Sequence, residues 1–303
     1  MYAPPANPAK KITAPEIRHR KGGEKVAMVT AYDFTMARLV DEAGVDMVLV
    51  GDSLGMVVQG LSTTIPVTLE EMAYHCRIVA RGLARAHLVG DLPFLSYQVS
   101  PAQAVESAGK LMKEGAAESI KLEGGQEVAE HIHRIVRAGI PVCAHIGLTP
   151  QSVHALGGFK VQGRGDAAER ILADAIAVEQ AGAFSVVLEA VPPDLAERIT
   201  SVLSIPTIGI GAGPACDGQV LVCTDLLGMS RGHQPKFAKR FADLGQQAVD
   251  AFGTYIREVR SGEFPAAAHT YKPNGAPVIA PAAQVAAHDG HDLDTPLPLD
   301  HWH

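Results

Sequence analysis

Seven side chains able to do acid–base, electrostatic or metal chemistry stand at the ends of apolar runs in this sequence. Asp52 and Ser53 follow Met47-Val48-Leu49-Val50, and Asp91 lies in "HLVGDLP". Lys121 and Glu123 lie in "ESIKLEGG", His145 in "IPVCAHIG" and Glu189 in "FSVVLEAVP". Asp52, Asp91 and Glu123 close three successive runs, so a fold that gathers the run ends gathers three anions. Carboxylates brought so close repel unless a proton or a cation intervenes. Lys121 offsets one charge; a hard divalent cation offsets more, and an all-oxygen donor set favours Mg²⁺ over zinc. Glu189, with no basic residue in its own run, suits a general base. His145 is expected to touch substrate rather than metal, because the carboxylates already supply the oxygens.

The elements that must position these groups are legible as an alternation. Strand candidates are residues 26–33, 46–53, 87–93, 118–125, 140–147, 184–192, 205–213 and 219–228. Near-continuous Val, Ile and Leu runs of this length suit parallel strands buried on both faces. Helical patterns with start signals separate them. Thr68 precedes "LEEMAYHCRIVARGL" with Glu71 three residues on, a capping-box spacing. Ser100-Pro101 opens "AQAVESAGKLMKEG", closing at Gly115, and Asp166 opens "AAERILADAIAVEQAG". Eight strand–helix units in about 200 residues predict a (β/α)8 barrel. The rival, an open doubly wound sheet, would carry a glycine-rich turn after its first strand; here that strand runs into "TAYDFTMA", without glycine.

A barrel places its reactive groups at the C-terminal ends of its strands. Lys121 and Glu123 are two apart and so share a face, with Leu122 directed outward toward helices. A salt bridge plugging the barrel end accounts for that pair taken alone; the convergence of three carboxylates favours a metal.

Composition bounds the function classes. The 303 residues are 47% hydrophobic, 19% charged and 5% aromatic, with net charge −7, as in a globular protein without a clustered basic nucleic-acid groove. The one basic cluster, "HRKGGEK" at 19–25, reads as a solvated surface segment. Cys76, Cys143, Cys216 and Cys223 form no C-x-x-C pair, which fits reduced thiols. "MYAPPANPAK" has prolines where a signal peptide is apolar, and no apolar run approaches the ~18 residues of a membrane span. The expectation is a cytoplasmic protein that touches neither nucleic acid nor membrane. "GIGAGPACDG" (209–218) reads either as an anion-binding loop or as a tight turn, and "GGFKVQGRG" (157–165) as a flexible loop near the active face. Residues from 235 to 262 read as one long helix. The tail from Lys272, rich in Ala, Pro, His and Asp, is expected to be flexible.

The stretches "TAYDFTMARLVDEAGVDMVLVGDSLGMVVQG", "LVGDLPFLSYQVSPAQAVESAGKLMKEGA", "IKLEGG", "IPVCAHIGLTPQSVHALGGFKVQGR" and "IPTIGIGAGPACDGQVLVCTDLLG", in that order, resemble the ketopantoate hydroxymethyltransferase family from about Thr13 to Tyr271. The resemblance implies a TIM barrel of the phosphoenolpyruvate mutase/isocitrate lyase type. It implies Mg²⁺ on Asp52, Asp91 and Glu123, an oxoacid held by Asp52, Ser53, Asp91, Lys121 and His145, and Glu189 as proton acceptor. It further implies transfer of a hydroxymethyl group from 5,10-methylenetetrahydrofolate to 3-methyl-2-oxobutanoate, giving 2-dehydropantoate through an enolate, in the first step of pantothenate biosynthesis. A homo-oligomer, commonly a decamer, is expected. An oxoacid lyase or mutase on the same barrel, and a non-catalytic scaffold barrel, are the alternatives. The expected division is an arm with a short helix (1–25), the barrel with its C-terminal helix (26–262) and a tail (263–303).

Overall fold

The structure, a computed structural model, describes residues 10–232 and 234–271; the tail expected to be flexible from 272 lies outside them. In chain order the elements begin with α1 (Ala14–Arg18), β1 (Val26–Thr30), α2 (Phe34–Glu42), β2 (Met47–Val50), α3 (Leu54–Val57) and α4 (Leu69–Ala80). There follow β3 (His87–Asp91), α5 (Pro101–Gly115), β4 (Ser119–Glu123), α6 (Ala129–Arg137), β5 (Val142–Gly147) and α7 (Val153–Leu156). The series ends with α8 (Ala167–Gln180), β6 (Ser185–Glu189), α9 (Pro193–Val202), β7 (Thr207–Ile210), β8 (Gly218–Leu221), α10 (Cys223–Leu226) and α11 (Leu244–Ser261). The eight strands are parallel and close in sequence order, β8 pairing with β1, so the expected barrel is the observed one.

Alternation along each strand divides the apolar residues between two cores. Met47 and Leu49 point inward with Met28, Val89, Cys143, Val187, Ile208 and Val220, and fill the barrel. Val48 and Val50 point outward into the layer between strands and helices, as do Ile120 and Leu122. The arm takes part in the inner core: Ile12 and Ile17 join it. The basic segment that follows is not merely solvated. Arg20 pairs with Asp46 at 2.9 Å and Lys21 with Asp217 at 2.9 Å, tying the arm to buried carboxylates near the strand starts.

Helix starts follow the expected chemistry. Thr68 and Glu71 form a reciprocal capping box, with Glu71 accepting from the Thr68 N–H at 2.8 Å and Thr68 accepting from the Glu71 N–H at 3.2 Å. Ser100 caps α5 through the Gln103 N–H. Asp166 precedes α8, but its side chain makes no cap hydrogen bond.

The strands are shorter than the expected runs, and three further boundaries differ for a local reason. The left-handed residue ending α5 is Ala116 (φ 56°), while Gly115 serves close helix packing: a Cβ there would stand 2.9 Å from Cys76 Cβ. The last strand stops at Leu221, because the Cys223 N–H is taken by the Thr30 hydroxyl at 3.0 Å and the chain turns into α10. Residues 235–243 are not helical, and α11 begins at Leu244. The N–H groups of Phe241 and Leu244 are taken by Leu226 and Leu227 carbonyls, at 2.9 and 3.0 Å, not by a preceding helical turn. All four cysteines are free and buried, and among the described residues no helix is long and apolar enough to cross a membrane.

Leu122, fully buried on the outer face of β4, separates the inward Lys121 and Glu123 and has no solvent to relax into. Leu122→Ala is expected to cost about 2–5 kcal/mol in urea unfolding; a loss under about 1 kcal/mol would contradict this account of the β4–helix layer.

Candidate active site

Parallel register sets the site. Asp91 lies beside Lys121 across β3 and β4, and Glu123 lies beside His145 across β4 and β5. Glu189 ends β6 opposite Gly147, and Asp52 and Ser53 follow the last residue of β2. The C-terminal ends of β2 to β6 thereby gather the groups marked from the sequence.

These groups form a connected chain. Lys121 Nζ stands 2.8 Å from Asp91 Oδ1 and 3.2 Å from His145 Nδ1. His145 Nδ1 is 3.5 Å from Glu123 Oε1, and its Nε2 is 3.2 Å from Glu189 Oε2. The Asp52 N–H donates to Asp91 Oδ2 at 3.3 Å. Asp52, Asp91, Lys121, Glu123 and His145 are all buried, whereas the Glu189 side chain keeps 15% of its surface open. Ser53 sits at the edge: its hydroxyl bonds Tyr32 Oη at 2.8 Å.

Burial and crowding decide the charge state. Burial, with Asp91 beside it, pushes the Asp52 carboxyl up to about 7. Burial also holds Glu123 well above the usual carboxylate range, against the pull of Lys121. Burial works against the Lys121 ammonium, but Asp91, Glu123 and Asp52 outweigh it and raise its pKa, so the lysine stays charged. Three carboxylates thus face one ammonium, and without a further cation the cluster retains protons. His145 is held below its ordinary value by burial and by the Lys121 charge, and is neutral near pH 7. An ammonium can only donate, so Nδ1 accepts from Lys121 and the imidazole proton is assigned to Nε2, facing Glu189.

Among the described residues, no three His, Cys, Asp or Glu side chains are placed to hold one ion in common. That arrangement still fits Mg²⁺, which is commonly held by one or two carboxylates and keeps water or substrate oxygens for the rest. The anionic excess of the cluster is the feature a hard cation would relieve.

Two uncharged residues escaped the sequence reading. Gln151, in "LTPQSV", is buried and bonds both Asp52 and Glu123. Tyr97, in "LSYQVS", is buried and its hydroxyl accepts the Glu123 N–H at 3.1 Å. Neither charge nor strand-end position marks them; the one available signal is their place in loops following β3 and β5. Within 209–218, Gly211 and Gly213 serve a tight turn, with φ of 66° and 83°, and a Cβ there would stand 2.8 Å from Phe237 and Pro193 respectively. In the 157–165 loop, the Gln162 N–H reaches the carbonyl of Ala190, next to Glu189, at 2.9 Å; Lys160 and Arg164 are exposed.

The description Ketopantoate hydroxymethyltransferase belongs to the family model that matches residues 11–267. The chain is a member of the ketopantoate hydroxymethyltransferase family. It is accordingly an enzyme, a hydroxymethyltransferase. It is 56% identical over 289 residues to 3-methyl-2-oxobutanoate hydroxymethyltransferase of Anaeromyxobacter sp. (strain Fw109-5), covering 93% of this chain and 94% of that one. The enzyme of the same name from Syntrophus aciditrophicus (strain SB) is 56% identical over 264 residues, 86% of this chain and 97% of that one. Among solved structures, the chain resembles 2,3-dimethylmalate lyase, a PEP mutase/isocitrate lyase superfamily member, at TM-score 0.56 and 17% identity, over 84% of this chain and 90% of that one. It also resembles phosphonopyruvate hydrolase in complex with oxalate and Mg²⁺, at TM-score 0.55 and 13% identity, over 85% and 93%. At 13–17% identity these likenesses concern the fold alone, the closed parallel eight-stranded barrel.

The charge states predict a pH signature. Carboxylates whose folded pKa is raised make the folded state bind more protons than the unfolded one, so stability falls as pH rises. From about pH 7.5, a unit above the ordinary histidine value, unfolded histidines are also largely neutral, which removes most of the opposing contribution of His87, His131 and His145 and leaves Asp52 and Glu123. In chelator, the melting temperature is expected to fall from about pH 7.5 to 8.5, and Mg²⁺ is expected to restore more of it at pH 8.5 than at pH 7.5. A melting temperature that is flat or rising across that window would contradict the assigned protonation.

Proposed function

We propose that the enzyme transfers a hydroxymethyl group from 5,10-methylenetetrahydrofolate to 3-methyl-2-oxobutanoate, giving 2-dehydropantoate in the first step of pantothenate biosynthesis. The observation that carries this reading is the buried Asp52–Asp91–Lys121–Glu123 cluster joined through His145 to the more open Glu189. It occurs in a chain 56% identical to enzymes named for the hydroxymethylation of that oxoacid.

The difficulty in this reaction is an unreactive C3–H beside a ketone. Of Asp52, Asp91 and Glu123, one or two carboxylates would hold Mg²⁺, which when bound supplies Lewis acidity toward the developing negative charge on the keto oxygen. Lys121, held charged between Asp91 and His145, draws the oxoacid carboxylate into an otherwise repulsive site. Ser53 stands at the rim within reach of the same anion. His145, neutral and with its proton on Nε2, presents that nitrogen 3.2 Å from Glu189 Oε2 without a formed hydrogen bond. Glu189 takes the C3 proton. Water hydrolyses the methylene bridge of the folate, breaking its two carbon–nitrogen bonds and releasing tetrahydrofolate and formaldehyde. The enolate carbon adds to that carbonyl, and the proton held on Glu189 is returned to the resulting alkoxide, giving the hydroxymethyl group. In this reading the enzyme is a cytoplasmic homo-oligomer, a decamer as the family resemblance implies.

Glu189→Gln keeps the shape of the side chain and removes the base. In D₂O, exchange of the C3 proton of 3-methyl-2-oxobutanoate, followed by proton NMR, is expected to slow by about 10²- to 10⁴-fold, while metal-dependent binding of the oxoacid persists. Exchange at the wild-type rate would refute the base assignment.

A further inference from the structure

Gln151 begins where Thr149-Pro150 carries the chain off the end of β5 into a short 3₁₀ turn, Pro150–Ser152. It is 4% exposed and its hydrogen bonds reach four segments of the barrel mouth. Its backbone N–H donates to Glu123 Oε2 at 3.0 Å. Its side-chain Nε2 donates to Asp52 Oδ2 at 2.9 Å and to the Leu92 carbonyl at 2.9 Å. Its Oε1 faces Tyr97 Oη at 2.9 Å and Gln98 Nε2 at 3.1 Å. The amide direction is chemically fixed, because a flipped amide would set its oxygen against a carboxylate and a carbonyl.

The choice of residue type carries information. Two donors are needed toward Asp52 and Leu92, and an acceptor is needed toward Tyr97, within a cluster that already holds three carboxylates. Glutamate would add a fourth anion beside Asp52. Lysine would place a fixed positive charge where the cluster otherwise calls for a cation. Methionine fills the same space but donates nothing. A glutamine amide meets both demands without changing the charge.

We propose that Gln151 is a positioning residue for cation binding, holding the Asp52 carboxylate from its side chain and the Glu123 carboxylate from its backbone. On the acceptor side the Gln98 amide donates to Oε1 at 3.1 Å, and the single Tyr97 O–H is shared between Oε1 and the Glu123 carbonyl, each at 2.9 Å. This rests on the functional reading above, in which these carboxylates receive a divalent cation. Groups that orient ligand carboxylates from behind typically govern metal affinity by about 10- to 100-fold when removed. Gln151→Met deletes the Asp52 contact and leaves the Glu123 contact, which belongs to the backbone.

The test is equilibrium binding of Mn²⁺ to the full-length enzyme without folate, read from the electron paramagnetic resonance signal of free Mn²⁺. Wild type is expected to bind, and Gln151→Met to bind about 10- to 100-fold more weakly. In steady-state assays the loss is expected in the metal concentration giving half-maximal rate, with kcat largely recovered at saturating Mg²⁺. A merely structural role would instead lower kcat at every metal concentration. Tyr97→Phe, a milder change, is expected to weaken Mn²⁺ binding severalfold, and it decides the matter if Gln151→Met does not fold. Wild-type affinity in folded Gln151→Met, or in Tyr97→Phe where that variant must decide, overturns the proposal. A wild-type protein that binds no Mn²⁺ overturns the functional reading itself, and so the two failures are distinguishable.

Discussion

Three carboxylates and one ammonium are buried together at the mouth of this barrel, and that imbalance governs the rest of the site. Removing like charges from water costs several kcal/mol per ion unless each is paired. Asp91 has Lys121 as its partner, at 2.8 Å. Asp52 and Glu123 have no lysine or arginine of their own, and burial pushes both toward their protonated forms. In the proposed reading a divalent cation takes the place of those protons. An anionic oxoacid enters such a site only if positive charge precedes it, which is the part given to Lys121. The neutral state of His145 follows from the same crowding, since a second buried cation beside the lysine is disfavoured.

The barrel is the device that makes this crowding possible. Parallel register puts residues from β3, β4, β5 and β6 side by side at one end, while Met28, Met47, Val89, Cys143 and Ile208 fill the interior below them. The arm contributes Ile12 and Ile17 to that interior, and Arg20 and Lys21 anchor it on Asp46 and Asp217. Apolar packing thus supports a polar mouth. Rigidity is concentrated where the carboxylates must not drift apart, and Glu189 alone among the acids of the mouth keeps a substantially open face.

Much of this was legible in the residues themselves. Buried parallel strands leave continuous Val, Ile and Leu runs, and a charged residue closing such a run has little choice but to face the mouth; Asp91, Lys121, Glu123 and Glu189 were found that way. What escaped has a common cause. Gln151 and Tyr97 are uncharged and lie in loops, and their importance arises from meeting Asp52 and Glu123 across segments far apart in sequence. The apolar run after β8 read as more strand because nothing local reveals that Thr30 captures the Cys223 N–H. The basic segment at 19–25 read as solvated because its partners, Asp46 and Asp217, are distant in the chain. Gly115 read as a helix stop, although its lack of a side chain is used to admit Cys76. Local pattern reveals which residues sit at element ends; long-range partners stay hidden until the chain closes.

The central claim is that the charge-starved mouth works as a metal-assisted hydroxymethyl transfer site and not as an oxoacid-cleaving one. The most direct measurement is product analysis by mass spectrometry, with 3-methyl-2-oxobutanoate and 5,10-methylenetetrahydrofolate supplied together and singly, with Mg²⁺ and with chelator. The account predicts 2-dehydropantoate only when both substrates and the divalent cation are present. Product formed equally well in chelator, or turnover of the oxoacid without folate, would contradict it.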